Sequence, residues 1–235
     1  MRLDKYITEK FSLQSRNKAA ELIKTNKVLV DGIIIKKPSF LVDENMKVTL
    51  EEEDFFVSRS AYKLKYFLED NNIVVKNKTA VDIGSSTGGF TQILLNNDIK
   101  SVTCVDVGTN QLHDTIKHNS KITIVENTDI RKFHPETFYE LVTCDVSFIS
   151  IHNILDDIHR LSSHKIIILY KPQFEVGKEV KRDRNGVVLD TQAIENQRSI
   201  FLEATKKLQW KLLISQKSKL AGKSGNIEEL FYFEK

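Results

Sequence analysis

The chain has 235 residues, 40% of them hydrophobic and 29% charged, with a net charge of +3 and two cysteines. That length and balance describe a soluble globular protein with room for one good core, or for one domain and a small module. No apolar run approaches the ~20 residues of a membrane span, the N-terminus lacks a signal peptide's apolar core, and Cys104 and Cys144 sit in apolar runs as reduced core residues; a cytoplasmic protein is expected.

The charge is uneven. Residues 1–40 carry nine Lys or Arg against four Asp or Glu, so a basic end precedes a near-neutral body, a pattern that suits a polyanion partner. Leu3, Tyr6 and Ile7 share one face of a first helix. Ser15 caps a second, with Lys18 at the position where a capping box has Glu or Gln, and Ala19, Leu22 and Ile23 form its apolar stripe. Asn26 suits the left-handed stop. Val28–Val30 and Ile33–Ile35 flank Asp31-Gly32, which predicts a hairpin with a type I′ turn. Arg2-Leu3-Asp4, Ser15-Arg16, Ala19, Leu22-Ile23 and Val28-x-Val30-Asp31-Gly32 together resemble the αL RNA-binding module shared by a small-subunit ribosomal protein, pseudouridine synthases and tyrosyl-tRNA synthetases. The resemblance implies that the helix and hairpin offer basic residues to structured RNA, here Arg16, Lys18, Lys27 and Lys36, with Arg2 and Lys5 beside them.

Glu51-Glu52-Glu53-Asp54 is a self-repelling block that marks a boundary. The expected organisation is a module over 1–52, a linker over 53–59 and a second domain over 60–235. In that domain Ala61, Leu64, Phe67 and Leu68 make a helix before the first strand. Strands at 79–83, 101–106, 121–126, 141–146 and 165–170 then alternate with helices at 88–96, 110–118, 150–161 and 190–207, and two strands near 210–217 and 227–234 close the chain. Alternation of this kind predicts an α/β fold with a mostly parallel sheet and an antiparallel edge. The order resembles the seven-stranded layout of Rossmann-like methyltransferases, here preceded by a small α+β module.

The first strand runs into Asp82-Ile83-Gly84-Ser85-Ser86-Thr87-Gly88-Gly89-Phe90-Thr91, a strand–turn–helix at whose carboxyl edge a ligand is expected. The spacing is D-x-G-x-x-x-G-G, not the dinucleotide G-x-G-x-x-G, and no Walker lysine follows. Gly84 lets the chain turn, and Gly88 and Gly89 would let a ligand approach the backbone. Asp82 suits a ligand ammonium and the helix N-terminus a carboxylate, and S-adenosylmethionine has both. Asp106, 22 residues beyond Gly84, is placed to accept ribose hydroxyls. Ser85, Phe90, Thr91 and Asp129 complete the expected cofactor set.

Four further polar residues lie where strand or helix ends should converge: Lys63, Asp145, Lys171 and Glu228. With the turn, they resemble the Lys-Asp-Lys-Glu tetrad of FtsJ-type ribose 2′-O-methyltransferases. Ser58-Arg59-Ser60-Ala61-Tyr62-Lys63-Leu64, Asp145-Val146-Ser147-Phe148-Ile149-Ser150, Lys171-Pro172-Gln173-Phe174-Glu175 and Gly225-Asn226-Ile227-Glu228 extend the likeness, and with the N-terminal module the whole chain resembles the TlyA family, often labelled haemolysin A. The resemblance implies methylation of cytidine ribose in ribosomal RNA with S-adenosylmethionine. The short N-terminus is similar to the shorter members, which implies large-subunit RNA as substrate.

Because a ribose hydroxyl is a poor nucleophile near neutrality, the enzyme must take or share its proton and align the reacting atoms. Lys171 is the candidate base or polariser, acting as free amine or as ammonium, with Lys63 as a neighbouring cation that would tune it. Asp145 and Glu228 would hold the lysines and the ribose. Arg59, Lys181, Arg182 and Arg184 are further candidates for phosphate contacts, as are Lys217, Lys219 and Lys223 around the last loop. The histidines have no metal-ligand spacing, so no metal is expected; the expected partner is ribosomal RNA or a subunit, with the protein a monomer and no membrane involved. A non-catalytic RNA-binding assembly factor is the competing expectation, against which the complete tetrad argues. A membrane-active toxin finds no support, for want of an amphipathic apolar segment.

Overall fold

The computed structural model describes residues 1–11, 13, 15–43, 45–50 and 56–235. The chain divides into two compact units, Met1–Phe55 and Phe56–Lys235. The acidic run Glu51-Glu52-Glu53-Asp54, where a boundary was expected, lies outside the described residues.

In the first unit α1 (Leu3–Lys10) and α2 (Arg16–Lys24) share a core with an antiparallel sheet, β1 (Val28–Val30), β2 (Ile33–Ile34) and β3 (Val48–Leu50), in the order β2-β1-β3. The Ser15 hydroxyl accepts the Lys18 N–H at 3.2 Å and so satisfies one free donor at the start of α2. Asp31 and Gly32 have φ of 49° and 81° between the paired Val30 and Ile33, the two positive values that a type I′ turn requires. β2 stops one residue short of the expected Ile35. β3 had no pattern long enough to read, and its pairing with β1 is what makes it a strand.

The second unit opens with α3 (Arg59–Asp70) and continues β4 (Thr79–Ile83), α4 (Gly89–Asn96), β5 (Ser101–Val105), α5 (Asp114–Lys117), β6 (Ile122–Val125) and β7 (Tyr139–Cys144). It ends with α6 (Leu155–Leu161), β8 (Ser162–Tyr170), α7 (Pro172–Glu175), α8 (Thr191–Lys207), β9 (Lys211–Lys217) and β10 (Glu229–Glu234). The sheet order is β6-β5-β4-β7-β8-β10-β9, parallel through β8, with β10 antiparallel to both its neighbours. β4 pairs with β5 on one side and β7 on the other, so sheet growth reverses there and a crevice opens at the carboxyl ends.

Both faces of the sheet are covered. Ile166 and Ile168 of β8 enter one core with Phe201, Phe231 and Phe233, whereas Ile167 and Leu169 enter the other with Phe67, Phe90 and Leu94. This period-two division explains why the strands read as nearly continuous apolar runs. Phe201 is fully buried, with its ring centroid 5.1 Å from those of both Tyr170 and Phe231. Phe201→Ala should therefore cost ~3–5 kcal/mol, measured as a shift of the urea midpoint at constant slope; a loss below ~1 kcal/mol would contradict this packing account.

Several expected elements shift. The helix expected over 110–118 is only Asp114–Lys117, because the Glu126 carboxylate accepts the backbone N–H groups of Asn110, Gln111 and Leu112 and holds that stretch in an open turn. The helix expected from 150 begins as a 3₁₀ turn, Ile151–Ile154, before α6. β7 ends at Cys144, two residues before the expected limit, which leaves Asp145 as the first residue beyond the strand. Among the described residues no helix is long and apolar enough to cross a membrane.

Candidate active site

Gly84 makes the turn after β4 with φ of +74°, and its N–H donates to the Val105 carbonyl at 2.8 Å. A Cβ here would stand 3.0 Å from the Asp145 carbonyl oxygen, so only glycine brings this turn against the end of β7. Beyond it lies a cavity of about 330 Å³, a volume suited to a small molecule, with apolar walls from Val105, Val107, Ile130, Val146 and Ile149. Gly84, Asp106 and Asp129 of the expected cofactor residues line it. Asp106 accepts the backbone N–H groups of Ser86 at 2.8 Å and Gly108 at 2.7 Å, which fixes the carboxylate and leaves each oxygen a further lone pair. Asp129 caps the turn Ile130–Lys132, and the Arg131 guanidinium beside it holds its carboxyl down at about 2.

The other expected cofactor residues lie behind this surface. Asp82 is fully buried and accepts hydroxyl hydrogen bonds from Thr91 and Thr143, each at 2.7 Å. It ties α4 and β7 beneath the turn and does not face a ligand ammonium. Gly88 and Gly89 make room for protein rather than for a ligand: a Cβ would collide with Ile116 at Gly88, and with the Ser58 and Ser60 hydroxyls at Gly89. Phe90 and Thr91 are core residues, and the buried Ser85 hydroxyl makes no hydrogen bond among the described residues. Ser86 and the segment after Asp145, legible in the sequence only as parts of motifs, also line the cavity, as do Val107 and Thr128, for which the sequence offered only their position just past strand ends.

Burial pushes the Asp82 carboxyl up to about 7. A carboxyl raised in the folded state binds its proton more tightly there than in the unfolded chain. Its contribution to stability is full below the ordinary carboxylate range and is lost as pH rises through about 7. The melting temperature of the wild type should thus fall between pH 5 and 8 relative to Asp82→Asn; parallel curves for the two proteins would contradict this.

The tetrad residues come together as two ion pairs. Lys63 Nζ, from α3, lies 2.5 Å from Glu228 Oε2, and Lys171 Nζ, just past β8, lies 2.6 Å from Asp145 Oδ1. Pairing of Glu229 with Tyr170 across β10 and β8 sets Glu228 next to Lys171 in the sheet register. Each lysine thus has its own carboxylate. The four side chains are between 4% and 13% exposed, so the charges are strongly coupled through a poorly solvated site. Burial raises the Asp145 carboxyl, opposed by the Lys171 charge. Two neutral residues complete the array: Lys171 Nζ donates to Ser147 Oγ at 2.8 Å and Gln173 Nε2 to Glu228 Oε1 at 3.1 Å.

All four tetrad residues line an open cavity of about 920 Å³, which meets the smaller one at Ser86, Asp145, Ser147 and Phe148. At this junction Phe148 is 91% exposed with φ of +66°, its ring 5.3 Å from Phe174. An exposed ring backed by the half-buried Phe174 beside buried charge is a platform for a flat ring. Sequence reasoning treated both residues only as parts of motifs.

The expected RNA contacts divide. Arg59, Lys181 and Arg184 are exposed, Arg59 with one hydrogen bond to the Ala221 carbonyl. Arg182 instead donates to the carbonyls of Gln173, Gly177, Lys178 and Val180, so its guanidinium organises the basic loop instead of reaching outward. Lys219 pairs with Asp70 at 2.7 Å. In the first unit the buried Asp4 collects Arg2 at 2.8 Å and Arg16 at 3.1 Å, and both guanidinium groups stay at least half exposed. Lys5 pairs with Glu9 and Lys18 with Glu21, while Lys27 is half-buried and Lys36 exposed.

Residues 56–235 match the FtsJ-like methyltransferase family, and residues 1–48 match the S4 domain. The 23S rRNA (cytidine-2′-O)-methyltransferase TlyA of Campylobacter jejuni is 48% identical, covering 100% of both chains. The 16S/23S rRNA (cytidine-2′-O)-methyltransferase TlyA of Mycobacterium tuberculosis is 35% identical over 97% of this chain and 87% of its own. A hemolysin-labelled protein from Streptococcus thermophilus superimposes with a TM-score of 0.72 at 30% identity, over 100% of this chain and 88% of that one.

Proposed function

The chain belongs to the TlyA family of FtsJ-like methyltransferases, and on that footing we propose that it transfers a methyl group to the 2′-hydroxyl of cytidine in ribosomal RNA, most directly that of the large subunit. The observation that carries this reading is the junction of the two cavities at Asp145 and Ser147. It sets a small-molecule pocket and a buried Lys–Asp, Lys–Glu array side by side at the switch point of the sheet.

S-adenosylmethionine, when bound in the smaller cavity, supplies an activated sulfonium methyl group. The residues present fit it: Asp106 has the geometry to accept two ribose hydroxyls, and the apolar walls offer a slot for the adenine. Lys171 then meets the RNA 2′-hydroxyl, takes or polarises its proton, and keeps the oxygen in line with the incoming carbon. Asp145 holds Lys171, and Glu228 holds Lys63. Exposed basic residues from the S4 module and from Arg59, Lys181 and Arg184 grip phosphates, and Phe148 supports the target base.

The reading is tested by incubating the protein with labelled S-adenosylmethionine and ribosomal RNA and digesting the product to nucleosides. Label in 2′-O-methylcytidine is expected, and label in a base-methylated nucleoside would overturn the proposal. The cofactor site has its own check. Asp106→Ala should weaken S-adenosylmethionine binding by ~1.5–3 kcal/mol, the scale of hydrogen bonds to a charged group. Unchanged affinity by calorimetry would remove Asp106 from the site.

A further inference from the structure

Lys171 carries a second contact that the tetrad does not account for. A lysine Nζ offers three donor directions. Ser147 Oγ takes one at 2.8 Å, while the Asp145 carboxylate faces Nζ at 2.6 Å as an ion pair without hydrogen-bond alignment, so Ser147 is the aligned acceptor and a direction stays open for a substrate oxygen. Ser147 is exposed, lines both cavities, and spends its hydroxyl on a lysine that is only 9% exposed.

The backbone around Ser147 is unusual as well. The next residue, Phe148, has φ of +66°, a conformation that bulky side chains adopt only when their surroundings enforce it. The chain turns out of β7 through Asp145, whose carboxylate pairs with Lys171, and reverses at Phe148, whose ring lies in the open. Ser147 is thereby held between the ion pair and the cavity junction.

We propose that Ser147 is a positioning residue for methyl transfer, its hydroxyl orienting Lys171 Nζ so that an open donor direction meets the ribose 2′-oxygen. Asp145 alone cannot do this. Its Oδ1 lies within ion-pair distance of Lys171 without hydrogen-bond alignment, so the attraction is strong but weakly directional. The serine supplies the directional contact. The inference deepens the proposed ribose methylation and rests on it for its kinetic consequence.

The test compares Ser147→Ala and Ser147→Thr with the wild type in single-turnover methyl transfer at saturating RNA and cofactor. Alanine should slow transfer ~10-fold or more, since small misplacement of a reacting group is costly. Dissociation constants for S-adenosylmethionine and RNA should stay within about twofold, as expected for an interaction that acts on the reaction and not on binding. Threonine keeps the hydroxyl and should stay within about threefold of the wild-type rate. A second readout needs no activity: the ¹⁵Nζ resonance of Lys171 should move in the alanine variant and stay close to wild type in the threonine variant. An alanine variant within about twofold of wild type, or a threonine variant as slow as alanine, would overturn the proposal. So would a Lys171 resonance that alanine leaves in place. If the wild type itself methylated no ribosomal RNA, ribose methylation would fail as the function, while the resonance would still decide whether Ser147 orients Lys171.

Discussion

Lys171→Ala is expected to lower the rate of methyl transfer ~10²-fold or more while cofactor and RNA binding remain close to wild type. Lys171 sits at the end of β8, next to the cavity junction, and its proposed partner, the 2′-hydroxyl, needs it only as the carbon–oxygen bond begins to form. The loss therefore falls on the rate. Arginine should not rescue it, because a guanidinium keeps its proton and its planar fork does not fit a site built around one Nζ with acceptors at 2.6 and 2.8 Å. Removing the lysine also leaves Asp145 buried without its cation, so thermal melting must be followed alongside the kinetics. Single-turnover transfer of labelled methyl separates the effects. A folded alanine or arginine variant with a near wild-type rate would remove Lys171 from the proposed role.

A chain beginning at Phe56 is expected to bind S-adenosylmethionine normally and to lose most of its affinity for ribosomal RNA. The unit from Phe56 to Lys235 has its own two-sided core, and every residue lining the smaller cavity belongs to it. The removed residues include the basic surface of the S4 domain. Each phosphate neutralised contributes roughly 0.9 to the slope of log affinity against log salt, so loss of three to four contacts should make that slope shallower by ~3. Affinity should fall at least ~10-fold at moderate salt. Equal affinity with an unchanged slope would mean that the N-terminal unit does not anchor RNA.

The parallel sheet was legible because its strands are buried on both faces and its helices carry one-sided stripes; β4 was placed to the residue. What escaped depended on contacts distant in sequence. Glu126 unwinds the start of the helix expected at 110, and nothing near residue 110 announces it. β3 exists by pairing with β1. The tetrad was found by resemblance, while its division into Lys63–Glu228 and Lys171–Asp145 needed the register of β8 and β10. Asp82 shows the opposite failure. An acid before a glycine turn suits a ligand by its position, but the alternation of β4 turns it inward onto Thr91 and Thr143. Charge alone makes Arg182 a candidate phosphate contact, but the carbonyls of its own loop claim its guanidinium.

The central claim is ribose methylation of ribosomal RNA, and it is tested most directly by mapping 2′-O-methyl groups on both ribosomal RNAs from cells with and without the protein. The account predicts a cytidine in the large-subunit RNA whose ribose methylation disappears with the protein, returns with the wild-type chain, and does not return with Lys171→Ala. Identical ribose-methylation maps in the presence and absence of the protein would contradict it.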